Sequence, residues 1–160
     1  MVGQVIGMRI AVFDLDGVIF DPTMRKVAWG FSVGVIGKEA DRLYEAGYYL
    51  SLDEVIEGSL ECVLHYESEG YQIAYLSGRR ESATKATIKA LTKEGFPLNQ
   101  NTLHLKPKKK DCTLEFKHQV LSAYVESHEE VIFFDDTESN RAVGDNLGIA
   151  TFSKCVIPAQ

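Results

Sequence analysis

Apolar residues occur along this chain in two alternating patterns. Residues 9–14 (RIAVFD) form a compact apolar run, and 72–76 (QIAYL), 102–105 (TLHL), 131–135 (VIFFD) and 149–152 (IATF) repeat it. Runs this short, without a helical period, read as buried strands. Between them apolar residues recur at three- and four-residue spacing. Ser51-Leu-Asp-Glu54 has the spacing of a capping box, in which Ser accepts from the third amide and Glu reaches back. Ile56, Leu60, Val63 and Leu64 then share one face, and Gly70 supplies a stop. Further helices are predicted over residues 82–94, 115–127 and 139–147, the first and last followed by Gly95 and Gly148.

Strands that alternate with helices imply βαβ units, a parallel sheet and right-handed crossovers. The expected fold class is therefore α/β, a three-layer Rossmann-like parallel sheet with a small inserted cap. The insertion is residues 22–50, between the first strand and the first core helix. Ala40, Leu43, Tyr44, Gly47 and Tyr48 make a helical stripe in it, while Val27–Gly37 is apolar and glycine-rich. It reads as a lid over the carboxyl ends of the strands, or alternatively as an extra helical layer of the core. Trp29, Phe31, Tyr44, Tyr48 and Tyr49 are expected to pack on one another there. An aromatic-lined lid would also suit a ring-bearing substrate.

Composition narrows the class. A chain of 160 residues with 45% apolar side chains fits one domain, residues 1–160, and excludes a disordered or collagen-like protein. At this size no disulfide or zinc staple is needed. Cys62, Cys112 and Cys155 are odd in number and widely spaced, so neither a disulfide framework nor a zinc site is expected, and a reducing, cytoplasmic setting fits. The longest charge-free stretch, the 11 residues Val27–Gly37, is too short to span a membrane. No signal peptide is read; residues 1–7 either extend the first strand or precede a start at Met8. A net charge of -6 argues against a general nucleic-acid binder, although a local basic patch overrides an average. His65, His104, His118 and His128 lack metal spacing and read as structural. Gly34-Val-Ile-Gly37-Lys38 has the wrong spacing for a nucleotide-binding loop.

The chemistry lies at the strand ends, because open α/β sheets bind ligands beyond the carboxyl ends of their strands. The first strand ends in Asp14-Leu-Asp16-Gly-Val, the second in Leu76-Ser77-Gly78-Arg79 and the fourth in Phe134-Asp135-Asp136. Each alone also reads as a turn or a helix cap. Together they place four carboxylates, a hydroxyl and a guanidinium on one rim. Clustered carboxylates raise one another's pKa unless something positive intervenes. Hard oxygen donors suit Mg²⁺, and Lys117 or Lys106 can add a positive charge. Such a rim is built for a phosphate ester. Asp14 and Asp16, two residues apart, point to the same side of an extended segment. One can attack phosphorus while the other protonates the leaving oxygen and later deprotonates water. Gly17 allows a sharp turn beyond them. Asn140, in the first turn of the last helix, either anchors the Asp135-Asp136 loop or merely starts the helix.

These segments, Phe13-Asp-Leu-Asp16-Gly-Val, Leu76-Ser-Gly-Arg79, an intervening lysine and Phe134-Asp-Asp136-Thr-Glu-Ser-Asn140, resemble the four motifs of the haloacid dehalogenase superfamily of phosphohydrolases. Their order matches too, and they span residues 13–140. The resemblance implies a Mg²⁺-dependent phosphatase with Asp14 as nucleophile, Asp16 as general acid and base, and Ser77 on a phosphoryl oxygen. It implies that Asp135 and Asp136 hold the metal with Asp14 and the backbone carbonyl of Asp16. An aspartate two residues after the nucleophile is similar to the phosphatase branch of that superfamily. Lys117, 18 residues before Asp135, is similar to the usual third-motif placement, and Lys106, before Pro107, is the other candidate.

Substrate binding is expected from Ser77, Gly78, Arg79 and Lys106. The substrate class is a phosphorylated small molecule or a polynucleotide 3′ end. Ser77-Gly78-Arg79 with Phe116-Lys117 is similar to the 3′-phosphatase domains of polynucleotide kinases. Arg79 could grip a second phosphate. The run Lys106-Pro-Lys-Lys-Lys110 could follow a nucleic-acid backbone or simply form a solvated loop. Two further readings stay open, a receiver-type phosphorylation switch and a phosphate-binding module without turnover.

Overall fold

A computed structural model describes residues 7–108, 112–155 and 157–158. In chain order its elements are β1 (Arg9–Phe13), β2 (Phe20–Asp21), α1 (Thr23–Ile36), α2 (Lys38–Glu45), β3 (Glu54–Val55), α3 (Ser59–Ser68) and β4 (Gln72–Arg80). There follow α4 (Thr84–Lys93), β5 (Leu103–Lys106), α5 (Thr113–Ser127), β6 (Glu130–Phe134), α6 (Glu138–Asn146) and β7 (Ala150–Phe152). Residues 1–6, and Lys109 and Lys110 of the basic run, lie outside the described residues. Gly7 sits in a turn ahead of β1.

The five expected strands form one parallel sheet in the order β5-β4-β1-β6-β7. Side chains alternate across a strand, so each strand feeds two cores. Ala11, Phe13, Ile73, Tyr75 and Phe134 face α3 and α4, where Val63, Tyr66 and Leu91 meet them. Ile10, Val12, Leu76 and Phe133 face α5 and α6, meeting Phe116, Leu121 and Val143. Helices thus cover both faces, which explains why the strands read as unbroken apolar runs. The architecture is the expected three-layer, Rossmann-like parallel sheet. The strand order reverses at β1, so the tips of β1, β4 and β6 sit side by side at the switch point.

Two expectations are corrected. Ser51-Leu-Asp-Glu54 does not cap a helix. Glu54 and Val55 are drawn into a two-stranded antiparallel ladder with Asp21 and Phe20, Ile56 N–H donates to Ile19 O at 2.9 Å, and α3 starts only at Ser59. Most of the apolar, glycine-rich segment Val27–Gly37 belongs to α1, which pairs with α2 as a hairpin. Trp29 donates to Asp41 at 2.9 Å and packs on Tyr44, with ring centroids 5.2 Å apart. Tyr44, Tyr48 and Tyr49 also pack among themselves as expected, while Phe31 points into solvent. The second correction is covalent. Cys62 on α3 and Cys155, 93 residues later, are joined by a disulfide, with Cα atoms 5.9 Å apart. Odd number and wide spacing concealed a pair that the return of the chain after β7 brings onto α3. This removes the thiol argument for a reducing compartment. No helix among the described residues is long and apolar enough to cross a membrane.

The bond closes a long loop, so its loss destabilises mainly by freeing the unfolded chain. The unreduced, denatured protein should titrate one thiol, Cys112; three would show that the bond does not form. Cys155→Ser should lower the melting temperature by roughly 5–10 °C.

Candidate active site

The site grows from the tip of β1. Past Phe13 the chain stays registered with β6 because Asp14 N–H donates to Phe134 O at 2.8 Å. Buried Leu15, Val18 and Ile19 anchor the loop that follows. Gly17 has φ 89° and its N–H donates to Phe20 O at 2.8 Å. A Cβ on Gly17 would fall 2.1 Å from Asp136 Oδ2. The Asp-Gly step therefore does more than turn the chain: it lets backbone pass directly against the Asp136 carboxylate.

The tip of β6 is fixed by hydrogen bonds around Asp135, which is fully buried. Its amide donates to Phe152 O at 3.0 Å, and its Oδ1 accepts from Thr137 N–H at 2.9 Å and Asn140 Nδ2 at 3.2 Å. Asn140 is thus the anchor that one reading of its position expected. Lys117 reaches in from α5, its Nζ 2.5 Å from Asp135 Oδ2 and 3.2 Å from Asp14 Oδ1. Of the two candidate lysines, Lys117 is the one among the carboxylates. Lys106 instead donates to Thr113 Oγ1 at 3.0 Å on the neighbouring flank.

Asp14, Asp135 and Asp136 each present a carboxylate oxygen, all within 4.8 Å of one another. Three carboxylates against one ammonium leave a local excess of negative charge. Burial raises the Asp14 carboxyl most. Lys117 draws it back, but Asp135 and Asp16 push it up further, to about 7. Burial works against the Lys117 ammonium, yet Asp14 and Asp135 outweigh it and hold its pKa above the usual lysine value. Hard oxygens, excess negative charge and one solvent-facing member, Asp136, form a donor set that fits a divalent cation.

The Asp16 side chain leaves this cluster. Its Oδ1 accepts from Arg25 Nη2 at 2.6 Å and Arg79 Nη2 at 2.7 Å. The same guanidiniums reach Asp53, from Arg25 Nε at 3.0 Å and Arg79 Nη2 at 3.2 Å, and Arg79 Nη1 donates to Thr87 Oγ1 at 3.0 Å. Burial alone would raise the Asp16 carboxyl, but Arg79 and then Arg25 hold it below the ordinary carboxylate range. The Asp53 carboxyl, by contrast, is raised by burial against the pull of both arginines. A bulge in β4 between Ser77 and Arg80 breaks the register there and aims Arg79 at this network. Ser77 Oγ, buried, accepts from Arg79 N–H at 3.1 Å, and Gly78 passes close to Thr113.

Every expected site residue except Lys106 lines or directly adjoins one cleft of about 470 Å³, bordered also by Asp21, Lys26 and Thr113. Arg25 and Asp53 were not foreseen. Asp53 lay hidden inside a false capping box. Arg25 carried one signal, a cation just ahead of the charge-free stretch.

Two outcomes follow from this packing. Gly17→Ala should displace the Asp136 carboxylate and weaken divalent-cation binding, measured by calorimetry, by about 10-fold or more, at a stability cost of only about 1–2 kcal/mol. Because Asp14 titrates higher folded than its ordinary 3.8, the folded state binds the extra proton between those values. Its contribution is full below about pH 4 and is lost as pH rises through about 7. In chelator, urea stability of the wild type should therefore fall across that window relative to Asp14→Asn, by on the order of 2 kcal/mol. Parallel curves would show that Asp14 is not raised.

A family model described as the LNS2 domain of PITM 1–3 matches residues 41–158. Among curated proteins no sequence matches the chain. Among solved structures, the class C acid phosphatase from Bacillus anthracis is similar at TM-score 0.62 and 25% identity, covering 88% of this chain and 62% of that one. The chain thus spans less than two thirds of that relative. A structure titled as the Pnkp1/Rnl/Hen1 RNA repair complex is similar at TM-score 0.67 and 15% identity, over 95% of this chain and 44% of the other. A haloacid dehalogenase-like hydrolase from Streptococcus pneumoniae is similar at TM-score 0.60 and 16% identity, over 90% and 83%. With the family model covering most of its length, and with the fold of haloacid dehalogenase-like phosphatases, the chain belongs to the LNS2 domain family.

Proposed function

We propose that this protein is a Mg²⁺-dependent phosphomonoester hydrolase that works through an aspartyl-phosphate on Asp14. The observation that carries the reading is the meeting of Asp14, Asp135 and Asp136 oxygens within 4.8 Å, with the Lys117 ammonium bridging the two buried ones. Asp14, Asp135 and Asp136, with the backbone carbonyl of Asp16, would hold the cation. When bound it neutralises charge on the transferring phosphoryl group and favours the ionised form of Asp14.

Asp14 attacks phosphorus, its carboxylate oxygen forming the new P–O bond as the ester P–O bond breaks. Lys117 and the Ser77 hydroxyl meet the charge on the equatorial oxygens. Asp16 donates a proton to the departing oxygen, then takes one from the water that hydrolyses the intermediate. With two guanidiniums on it, Asp16 holds no proton in the arrangement described above. An anionic group of the substrate that draws Arg79 or Arg25 away raises its proton affinity, so substrate arrival would arm the acid. In this reading residues 22–50 are a cap within a single domain, 1–160.

A second reading takes a polynucleotide 3′ end as the substrate. Arg79 and Lys26 line the same cleft as Asp14 and Ser77, and both can take a second phosphate along a strand.

A screen of phosphate esters that includes a 3′-phosphorylated oligonucleotide, run with Mg²⁺ and with chelator, tests both levels. Turnover should require Mg²⁺, and Asp14→Asn should lower it by roughly 10³-fold or more with an unchanged circular dichroism spectrum. Wild-type turnover by that variant would remove the covalent route. A stable phosphoprotein that releases no phosphate would favour the switch, and absence of turnover on every ester the binding module.

A further inference from the structure

The aromatic residues of the insertion do not reach the cleft. Trp29 packs on Tyr44 and Tyr48 on Tyr49, and none of these rings lines the space in front of Asp14. Among the described residues, the one apolar side chain on its wall is Pro22. Small-molecule sites are ordinarily lined by apolar and aromatic side chains, with a few polar groups that fix orientation. Here that proportion is inverted. The volume of about 470 Å³ also lies in the lower part of the range for such sites, roughly 300–1,000 Å³.

Asp21, Lys26 and Thr113 are on this wall and belong neither to the reaction proposed above nor to the anchoring of Asp135. Together they carry hydrogen-bonding groups with no net charge. Asp21 commits Oδ1 to Thr23, accepting from its N–H at 3.0 Å and its Oγ1 at 2.6 Å. Those bonds, helped by Lys26, hold the carboxyl below the ordinary range, so at neutral pH it is an ionised acceptor. Lys26 offers an exposed ammonium. Thr113 Oγ1 accepts from Lys106 Nζ at 3.0 Å, which leaves its own hydrogen to donate. The arginines beside the cleft are committed elsewhere. Arg79 donates to Asp16, Asp53 and Thr87 and rests over the Phe20 ring, 5.5 Å from its centroid, and Arg25 donates to Asp16 and Asp53.

We propose that the substrate is the phosphate monoester of a small polyhydroxylated alcohol, whose hydroxyls pair with Asp21, Lys26 and Thr113. The proposal rests on the phosphatase reading and narrows it. A hydroxyl both donates and accepts, so hydroxyls on neighbouring carbons satisfy a carboxylate and an ammonium at once. An alkyl or aryl group would take water from the same side chains and return no hydrogen bond, and unpaired polar groups discriminate more sharply than a missing apolar contact. A second phosphate would meet the Asp21 carboxylate and would have to draw Arg79 from three partners. Phosphoryl passes from the polyol oxygen to Asp14 and then to water. The products are the free polyol, carrying the proton from Asp16, and inorganic phosphate.

The test compares sorbitol 6-phosphate with hexyl phosphate, which share a carbon chain and differ in their hydroxyls, on the full chain with Mg²⁺. The kcat/KM values should favour the sorbitol ester by about 100-fold or more. Lys26→Met should lower that ratio by about 10-fold, chiefly through KM, and Asp21→Asn, which keeps an acceptor for Thr23, should lower it as well. Calorimetry on Asp14→Asn, which needs no turnover, should show the sorbitol ester bound about 10-fold or more tighter than the hexyl ester. Equal or better use of hexyl phosphate overturns the proposal. So does a ratio indifferent to both substitutions, or a 3′-phosphorylated oligonucleotide preferred over both esters. If the wild type hydrolyses no ester, the phosphatase reading fails and the binding ratio decides by itself: tighter binding of the sorbitol ester upholds the polyol assignment, and equal affinity removes it.

Discussion

The constraint on which this structure turns is the crowding of carboxylates at one rim of the sheet. Asp14, Asp135 and Asp136 lie close enough to share an ion, and two of them are buried. Left unpaired, buried carboxylates either take up protons or unfold the protein. Lys117 opposes both, holding Asp135 by an ion pair and drawing the raised Asp14 carboxyl part of the way back. It is itself almost wholly buried, and its only reason to be charged there is the pair of acids it touches. Removing either side would strand the other, which is more costly than never having built the pair. The hydrogen bonds from Thr137 and Asn140 to Asp135 Oδ1 serve the same end by fixing its carboxylate, and Arg141, donating to the Asp135 backbone carbonyl, fixes the chain that carries it.

The parallel sheet is what makes the crowding possible. The tips of β1, β4 and β6 are neighbours because β1 lies at the centre of the sheet, with β4 on one side and β6 on the other. Phe13 and Phe134, the last strand residues before the acids, stack with centroids 4.6 Å apart. The backbone that carries Asp14 is hydrogen-bonded directly to the end of β6. Apolar packing below the rim thus holds in place charges that would separate if free.

How much of this could be read from the chain depends on the range of the interaction. The five strands were legible because each is buried on both faces and must be apolar throughout. The acidic tips were legible because they follow the strands immediately. The choice of Lys117 over Lys106 needed three dimensions, since both lie between the same strands and only helix phase turns Lys117 inward. The Ser51–Glu54 box satisfied local rules that lost to a tertiary ladder with Phe20 and Asp21. Asp53 was thereby freed to meet Arg25 and Arg79, partners 28 and 26 residues away that no local pattern marks. The Cys62–Cys155 bond failed for the same reason at still longer range.

The network of Asp16, Arg25, Arg79 and Asp53 joins these levels. Its charges cancel in pairs, so it can be buried where the carboxylate cluster alone could not. Arg25 comes from the helical hairpin, Arg79 from the bulged end of β4, Asp16 from the loop after β1 and Asp53 from the segment entering β3. These ion pairs fix the hairpin against the sheet and also set the proton affinity of Asp16. The two properties cannot vary independently. Any movement that lifts α1 from the rim removes Arg25 from Asp16 and makes that carboxyl easier to protonate. Any anion that captures Arg79 weakens the hold on Asp53 and hence on the base of the hairpin. Hairpin position and the charge state of Asp16 are therefore one equilibrium.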